Sequence, residues 1–291
     1  MTLATLLERE GTSAIPFDFD GQPGRSILLN CYRAAGYRPG GDVVLVQHGM
    51  KRNGDDYRDF WIDAADRHDL LIVAPTFSDD LFPEAERYNN GMVRDDDGAI
   101  TRRESWIYHV PARVVDAMTE AGLMAEGKAR IFGHSAGGQF LHRMVSLVGY
   151  GPFDSVIAAN AGWYSLPTLD VEFPAGLGGI GLGEDDLRRL LASDLWILAG
   201  QKDCEAGAEN LPSQPEARAQ GPGRLHRARN YLETGRAAAE ALGISFGWRL
   251  TEVPGVDHDG NAMGRAAAGL WFTGGLPSAE TLGAGTGAVN A

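Results

Sequence analysis

The sequence predicts an α/β fold: a mostly parallel central sheet with helices on both faces and a small lid insertion. Two observations carry this expectation. Runs such as Val43–Val46 and Leu70–Ala74 are strand-sized and apolar on both faces, and helically spaced segments separate them. The chain has 291 residues, 44% of them apolar, which is large for one domain but ordinary for a broad sheet covered on both sides.

The elements follow in order. Residues 14–20 and 26–33 alternate apolar and polar around Gly21–Gly24 and read as an antiparallel hairpin at a sheet edge. Asp42–Gln47 is a continuous apolar strand, followed by a glycine-bearing loop and a helix near Asp55–His68. Leu70–Pro75 is another buried strand, Trp106–Ala121 has helical spacing, and Ala129–Gly133 is again strand. Gly137–Leu147 is helical, Ser155–Asn160 and Asp194–Ala199 are strands, and Arg224–Leu242 is a long helix. Ser245–Val253 is the last strand and Asn261–Phe272 the last helix. Two segments break the alternation. Thr76–Arg103 holds the acidic run Asp95-Asp96-Asp97-Gly98, whose spacing fails the calcium-loop pattern and reads as a solvent-facing hairpin. Ser165–Arg189, rich in Gly, Leu and Pro, reads as a lid over the sheet. One domain is expected over 1–275 and an aperiodic, flexible tail over 276–291.

Charge narrows the function classes. Aspartate and glutamate outnumber lysine and arginine by 39 to 26, a formal charge of −13, so nucleic acid and an anionic membrane surface are both repelled. No apolar run approaches the length of a membrane span, and Met1–Pro16 lacks the basic-then-apolar pattern of a signal peptide. Cys31 and Cys204 are too few for a disulfide scaffold and read as free thiols of a cytoplasmic protein.

The chemistry converges on one sheet edge. Gly133-His134-Ser135-Ala136-Gly137 matches G-x-S-x-G, with strand Arg130-Ile131-Phe132 before it and a helix after it. A serine on so sharp a turn is pushed out above the sheet, and its neighbours must be small. A hydroxyl needs a base, and seven histidines compete. His258 lies on the loop between the last strand and the last helix, at the same edge. His68 and His142 fall within helices and are expected on solvent faces; His134 is expected to point away from the site. His226 has no strand before it, and His48 is expected to brace its loop. The base needs a carboxylate, and Asp203 follows strand Leu195–Gly200, with Glu205 and Asp257 as rivals. The oxyanion donors expected are the backbone N–H groups of Ala136 and of Met50, the latter in the loop after the Asp42–Gln47 strand.

His48-Gly49, the Gly133–Gly137 elbow, Gly200–Asp203 and Pro254–His258 together resemble the α/β-hydrolase superfamily over about residues 14–274. Within it the chain looks like the bacterial esterases related to polyhydroxybutyrate depolymerases and feruloyl esterases. The order Ser135, Asp203, His258 is the one that fold uses. The long stretch Cys204–Gly223 departs from the secreted depolymerases. Trp163, Tyr164 and Trp61 are the aromatic candidates for the substrate cleft, whose walls would suit an acyl or aryl ester better than a charged peptide. The expected reaction is ester hydrolysis through an acyl-enzyme, with no cofactor or metal. The alternatives are another acyl or C–C hydrolase on the same triad (thioesterase, amidase) or a non-catalytic receptor that keeps the pocket.

Overall fold

The computed structural model describes residues 2–208 and 210–283. In chain order it forms β1 (Gly11–Phe17), β2 (Ile27–Arg33), β3 (Gly41–Gln47), α1 (Gly54–Asp59), α2 (Ile62–His68) and β4 (Leu71–Thr76). Then follow α3 (Glu84–Arg87), α4 (Val110–Glu120), β5 (Met124–His134), α5 (Ala136–Val148), β6 (Phe153–Ala159) and α6 (Glu184–Ala192). The chain continues with β7 (Leu195–Gly200), α7 (Pro215–Ala219), α8 (Arg224–Leu242), β8 (Arg249–Val253), α9 (Gly260–Phe272) and α10 (Ala279–Gly283). Among the described residues the strands make one 8-stranded sheet, in the order β1-β2-β4-β3-β5-β6-β7-β8. β2 runs against both its neighbours, and all pairs from β4 through β8 are parallel.

The sheet is buried on both faces because its strands alternate between two cores. Val43 and Leu45 pack into one cluster with Val114, Phe140 and Tyr231 of α4, α5 and α8. Val44 and Val46 pack into the other with Trp61, Met263 and Ala266, beneath α2 and α9. The same split divides Ile131 from Phe132 and Ile197 from Leu198. Each such side chain contributes roughly 1.5–3 kcal/mol on burial, which explains why these strands carry no polar face. All parallel strands therefore point their carboxyl ends to one edge, and the loops after β3, β5, β6, β7 and β8 gather there.

Three expectations about elements need correction. The helix over 55–68 is broken: Trp61 sits at φ −104°, ψ −1° between α1 and α2. Its indole inserts between Phe132 and Trp271, at 5.4 and 5.8 Å between ring centroids, and two short helices reach that contact where one straight helix does not. The expected lid does not cover the sheet edge at Ser135. Residues 166–178 close on themselves through bonds such as Leu166 N–H to Ala175 O and Leu177 N–H to Thr168 O, both 2.8 Å, and the segment ends in α6. Within the expected tail, residues 276–283 are packed: α10 buries Leu282 against the core, and Leu276 packs beside it. The rest of that tail, 284–291, lies outside the described residues. The acidic excursion does form a hairpin-like turn, bridged antiparallel at Arg94 and Ile100.

Candidate active site

The site begins with the turn between β5 and α5. Ser135 has φ 58° and ψ −116°, a conformation that a residue with a side chain adopts only under strain. Backbone crowding around it explains the flanking glycines. A Cβ on Gly133 would lie 2.4 Å from the Gly137 carbonyl oxygen, and one on Gly137 would lie 2.3 Å from the Gln47 carbonyl oxygen. The turn is tied to the sheet by the Ser135 N–H donating to Ala159 O at 3.0 Å, which lifts the hydroxyl above the edge. Ala136 stands at the first position of α5, where the helix leaves the amide N–H unused.

Ser135 Oγ lies 3.0 Å from His258 Nε2, and His258 Nδ1 lies 2.7 Å from Asp203 Oδ2. The three residues expected to act together are thus in one line of hydrogen bonds, although 123 positions separate Ser135 from His258. Each arrives on a loop held from both sides. Asp259 accepts from Asn261 N–H and Ala262 N–H at 2.9 and 3.0 Å, capping α9 just after the histidine. Asp203 closes a turn through its N–H to Gly200 O at 3.1 Å. The rival carboxylates are placed otherwise. Glu205 is exposed, and Asp257 accepts the backbone N–H of His258 at 2.9 Å while its neighbour's ring turns to Asp203.

Two residues of this assembly escaped the sequence reading. Arg224, the first residue of α8, donates from Nη1 to Asp203 Oδ1 at 3.1 Å; the two side chains are 2% and 4% exposed. The second carboxylate oxygen is therefore satisfied by a buried guanidinium. Asn160, at the end of β6, accepts Gly200 N–H at 2.8 Å and donates to Asp257 O at 3.1 Å. It ties the acid's strand to the histidine's loop. Nothing local marks either residue; only pairing of distant segments reveals them.

The other histidines divide. His48 is fully buried; its Nδ1–H donates to Gly49 O at 2.8 Å and its Nε2 accepts Phe77 N–H at 3.0 Å, so it braces the loop after β3. Burial pushes its pKa down to about 3. His142 is not on a solvent face: it is fully buried, and its Nε2 accepts Ser165 N–H at 3.0 Å. His134 does not point away. Its ring packs on that of His258, with centroids 4.6 Å apart. Burial first, then the His258 charge, hold His134 well below the ordinary histidine range.

The pocket over Ser135 is lined by Gly49, Met50, Tyr57, Phe60, Asn210 and His258, among others. Met50 is at its mouth, with a half-exposed side chain. None of the three expected cleft aromatics lines this pocket. Trp61 is buried beneath α9, and Tyr164 is buried with its ring 4.4 Å from Tyr231. Trp163 lines a neighbouring groove with Asn89, Gln139, Phe173, Pro212 and Gln214. The 210–214 segment borders both hollows: Asn210 lines the Ser135 pocket, and Pro212 and Gln214 line the groove.

Fold and site together define an α/β-hydrolase of the serine esterase kind. The chain is 50% identical to LpqC, a poly(3-hydroxybutyrate) depolymerase from Bordetella parapertussis, over 96% of both chains, with a TM-score of 0.92. It is 32% identical to poly(aspartic acid) hydrolase-1 from Sphingomonas sp. KT-1, over 90% of this chain and 98% of that one, with a TM-score of 0.85. S-formylglutathione hydrolase FrmB from Staphylococcus aureus shares the fold at 14% identity, covering 89% and 96%, with a TM-score of 0.54. No family model and no curated protein matches the chain. At this likeness the chain belongs to the α/β-hydrolase superfamily, in the branch that includes LpqC.

Proposed function

We propose that this chain hydrolyses carboxylic esters with Ser135 as nucleophile, His258 as general base and Asp203 as the carboxylate that orients it. The observation that carries the reading is the unbroken line Asp203 Oδ2, His258, Ser135 Oγ, at 2.7 and 3.0 Å. Asp203 accepts the Nδ1 proton and so leaves the Nε2 lone pair toward Ser135. Ser135 attacks the carbonyl carbon, its proton passes to Nε2, and the tetrahedral oxyanion is held by the N–H groups of Ala136 and Met50. The imidazolium then protonates the leaving alcohol, and water activated by His258 releases the acid.

The substrate reading is a neutral ester chain. One close relative is a polyester depolymerase and the other a hydrolase of an anionic polyamide. The groove beside Trp163 is lined by the amides Asn89, Asn90, Gln139 and Gln214 and by Glu86, Glu172 and Glu216. Those amides can donate to ester carbonyls, while three carboxylates and a formal charge of −13 oppose a polyanion. Among the described residues no helix is long and apolar enough to cross a membrane. Cys31 and Cys204 are both unpaired, which supports a cytoplasmic site of action.

The test is a panel of p-nitrophenyl esters of rising chain length, run beside oligomeric 3-hydroxybutyrate and poly(aspartic acid). Ester turnover that falls on the order of ten-thousand-fold in Ser135→Ala is expected. A parent protein that takes no fluorophosphonate label would leave a binding protein instead, and preference for the polyamide would make it an amidase.

A further inference from the structure

The hydroxyl of Tyr57 is where the three loops of the site meet. Tyr57 is on α1, 3% exposed, and lines the Ser135 pocket. Its oxygen packs against Gly49, in the loop after β3. It also lies 2.9 Å from His134 Nδ1, at the end of β5. His134 in turn presents its ring to His258 at 4.6 Å.

Two glycines close on the same hydroxyl. A Cβ at Gly49 would lie 2.8 Å from Tyr57 Oη and 3.7 Å from Ser135 Cβ. A Cβ at Gly260, two residues past His258, would lie 3.1 Å from His134 Nδ1 and 3.3 Å from Tyr57 Oη. The oxyanion loop, the elbow and the histidine loop therefore all pack against one hydrogen bond, and side chains at these two positions would part it.

Resting on the esterase reading above, we propose that Tyr57 and His134 are positioning residues. Together they hold the oxyanion loop and the His258 ring in register with Ser135. Tyr57 fixes the loop through its hydroxyl packed against Gly49, which sets where the next amide, Met50, stands. His134 gives the imidazolium that forms on His258 a flat, neutral aromatic face. Its burial keeps it from taking the proton itself. Neither residue reaches the reacting atoms, and Tyr57→Phe keeps the ring that lines the pocket, so the changes act on turnover rather than on substrate affinity.

The experiment separates the two contributions. Tyr57→Phe removes the bond and keeps the ring. His134→Asn keeps an acceptor near Nδ1 and removes the stacked ring; His134→Phe does the reverse. Kinetics on p-nitrophenyl butyrate should show kcat lowered roughly ten- to a hundred-fold in Tyr57→Phe, with KM within about twofold. Tyr57→Phe and His134→Phe combined should cost no more than the worse single change, because both remove the same bond. His134→Asn should retain more kcat than His134→Leu, which lacks both bond and ring. The proposal is overturned if folded Tyr57→Phe and His134→Leu keep kcat within twofold of the parent while Ser135→Ala is inactive. It is also overturned if they lose only thermal stability. Activity surviving in Ser135→Ala would instead overturn the esterase reading on which it rests.

Discussion

Asp203 is held by two partners of different kinds, and the difference is testable residue by residue. His258 draws on one carboxylate oxygen and the buried Arg224 on the other. Removing one member of a buried ion pair strands the other charge, which is more damaging than the pair itself is stabilising. Arg224→Met should therefore destabilise the protein by about 3–5 kcal/mol in urea unfolding. Asp203→Asn in that background should recover part of the stability and none of the activity, since the amide cannot orient His258. If Arg224→Met melted like the parent, the pair would not be a buried charge pair in solution.

At the scale of elements, the turns after the strands decide which side chains meet substrate. The bend after β6 puts Trp163 on the groove wall and Tyr164 in the core, with the Arg143 guanidinium 5.2 Å from the Trp163 ring. The 210–214 segment, not the 165–189 segment, borders the Ser135 pocket. A substrate long enough to leave that pocket on the Asn210 side would next meet Pro212, Gln214 and Trp163. Trp163→Ala should then raise KM for oligomeric esters several-fold while acetate esters, too short to reach it, change little. Equal loss on every ester together with a lowered Tm would mean that Trp163 serves only packing.

For the whole molecule, buried histidines couple stability to pH. His48, His134 and His142 are fully buried, and burial is the first cause that lowers each of them. In the unfolded chain they titrate near 6.5. Above that pH they are neutral in both states and cost nothing. As pH falls below it, the unfolded chain takes up protons that the folded one refuses, so stability is lost; for His48 the loss continues down to about 3. The slope is about 1.4 kcal/mol per pH unit for each histidine, and roughly 4 for the three together. Acidification also brings the charge of −13 toward zero and relieves self-repulsion, which acts the other way but is spread over the surface and screened by salt. The urea midpoint should therefore drop steeply between pH 7 and pH 5.5 at 0.15 M salt. A midpoint that held or rose over that range would show that these histidines are not buried neutral.

The sequence by itself determined the alternation of strands and helices, the elbow at Ser135 and the edge on which His258 and Asp203 lie. These are local patterns: a run apolar on both faces makes a parallel strand, and glycines flanking a serine permit a strained turn. Tertiary structure alone decided the rest. Arg224 faces Asp203 from 21 positions away, Asn160 joins β7 to the histidine loop, and Tyr57 reaches His134 across 77 positions. His142 looked like a surface residue, and Trp61 and Tyr164 looked like cleft walls, because helical or aromatic character does not say which of two faces is covered. That choice is made when the layers pack, by which buried polar atoms find partners and which rings find space.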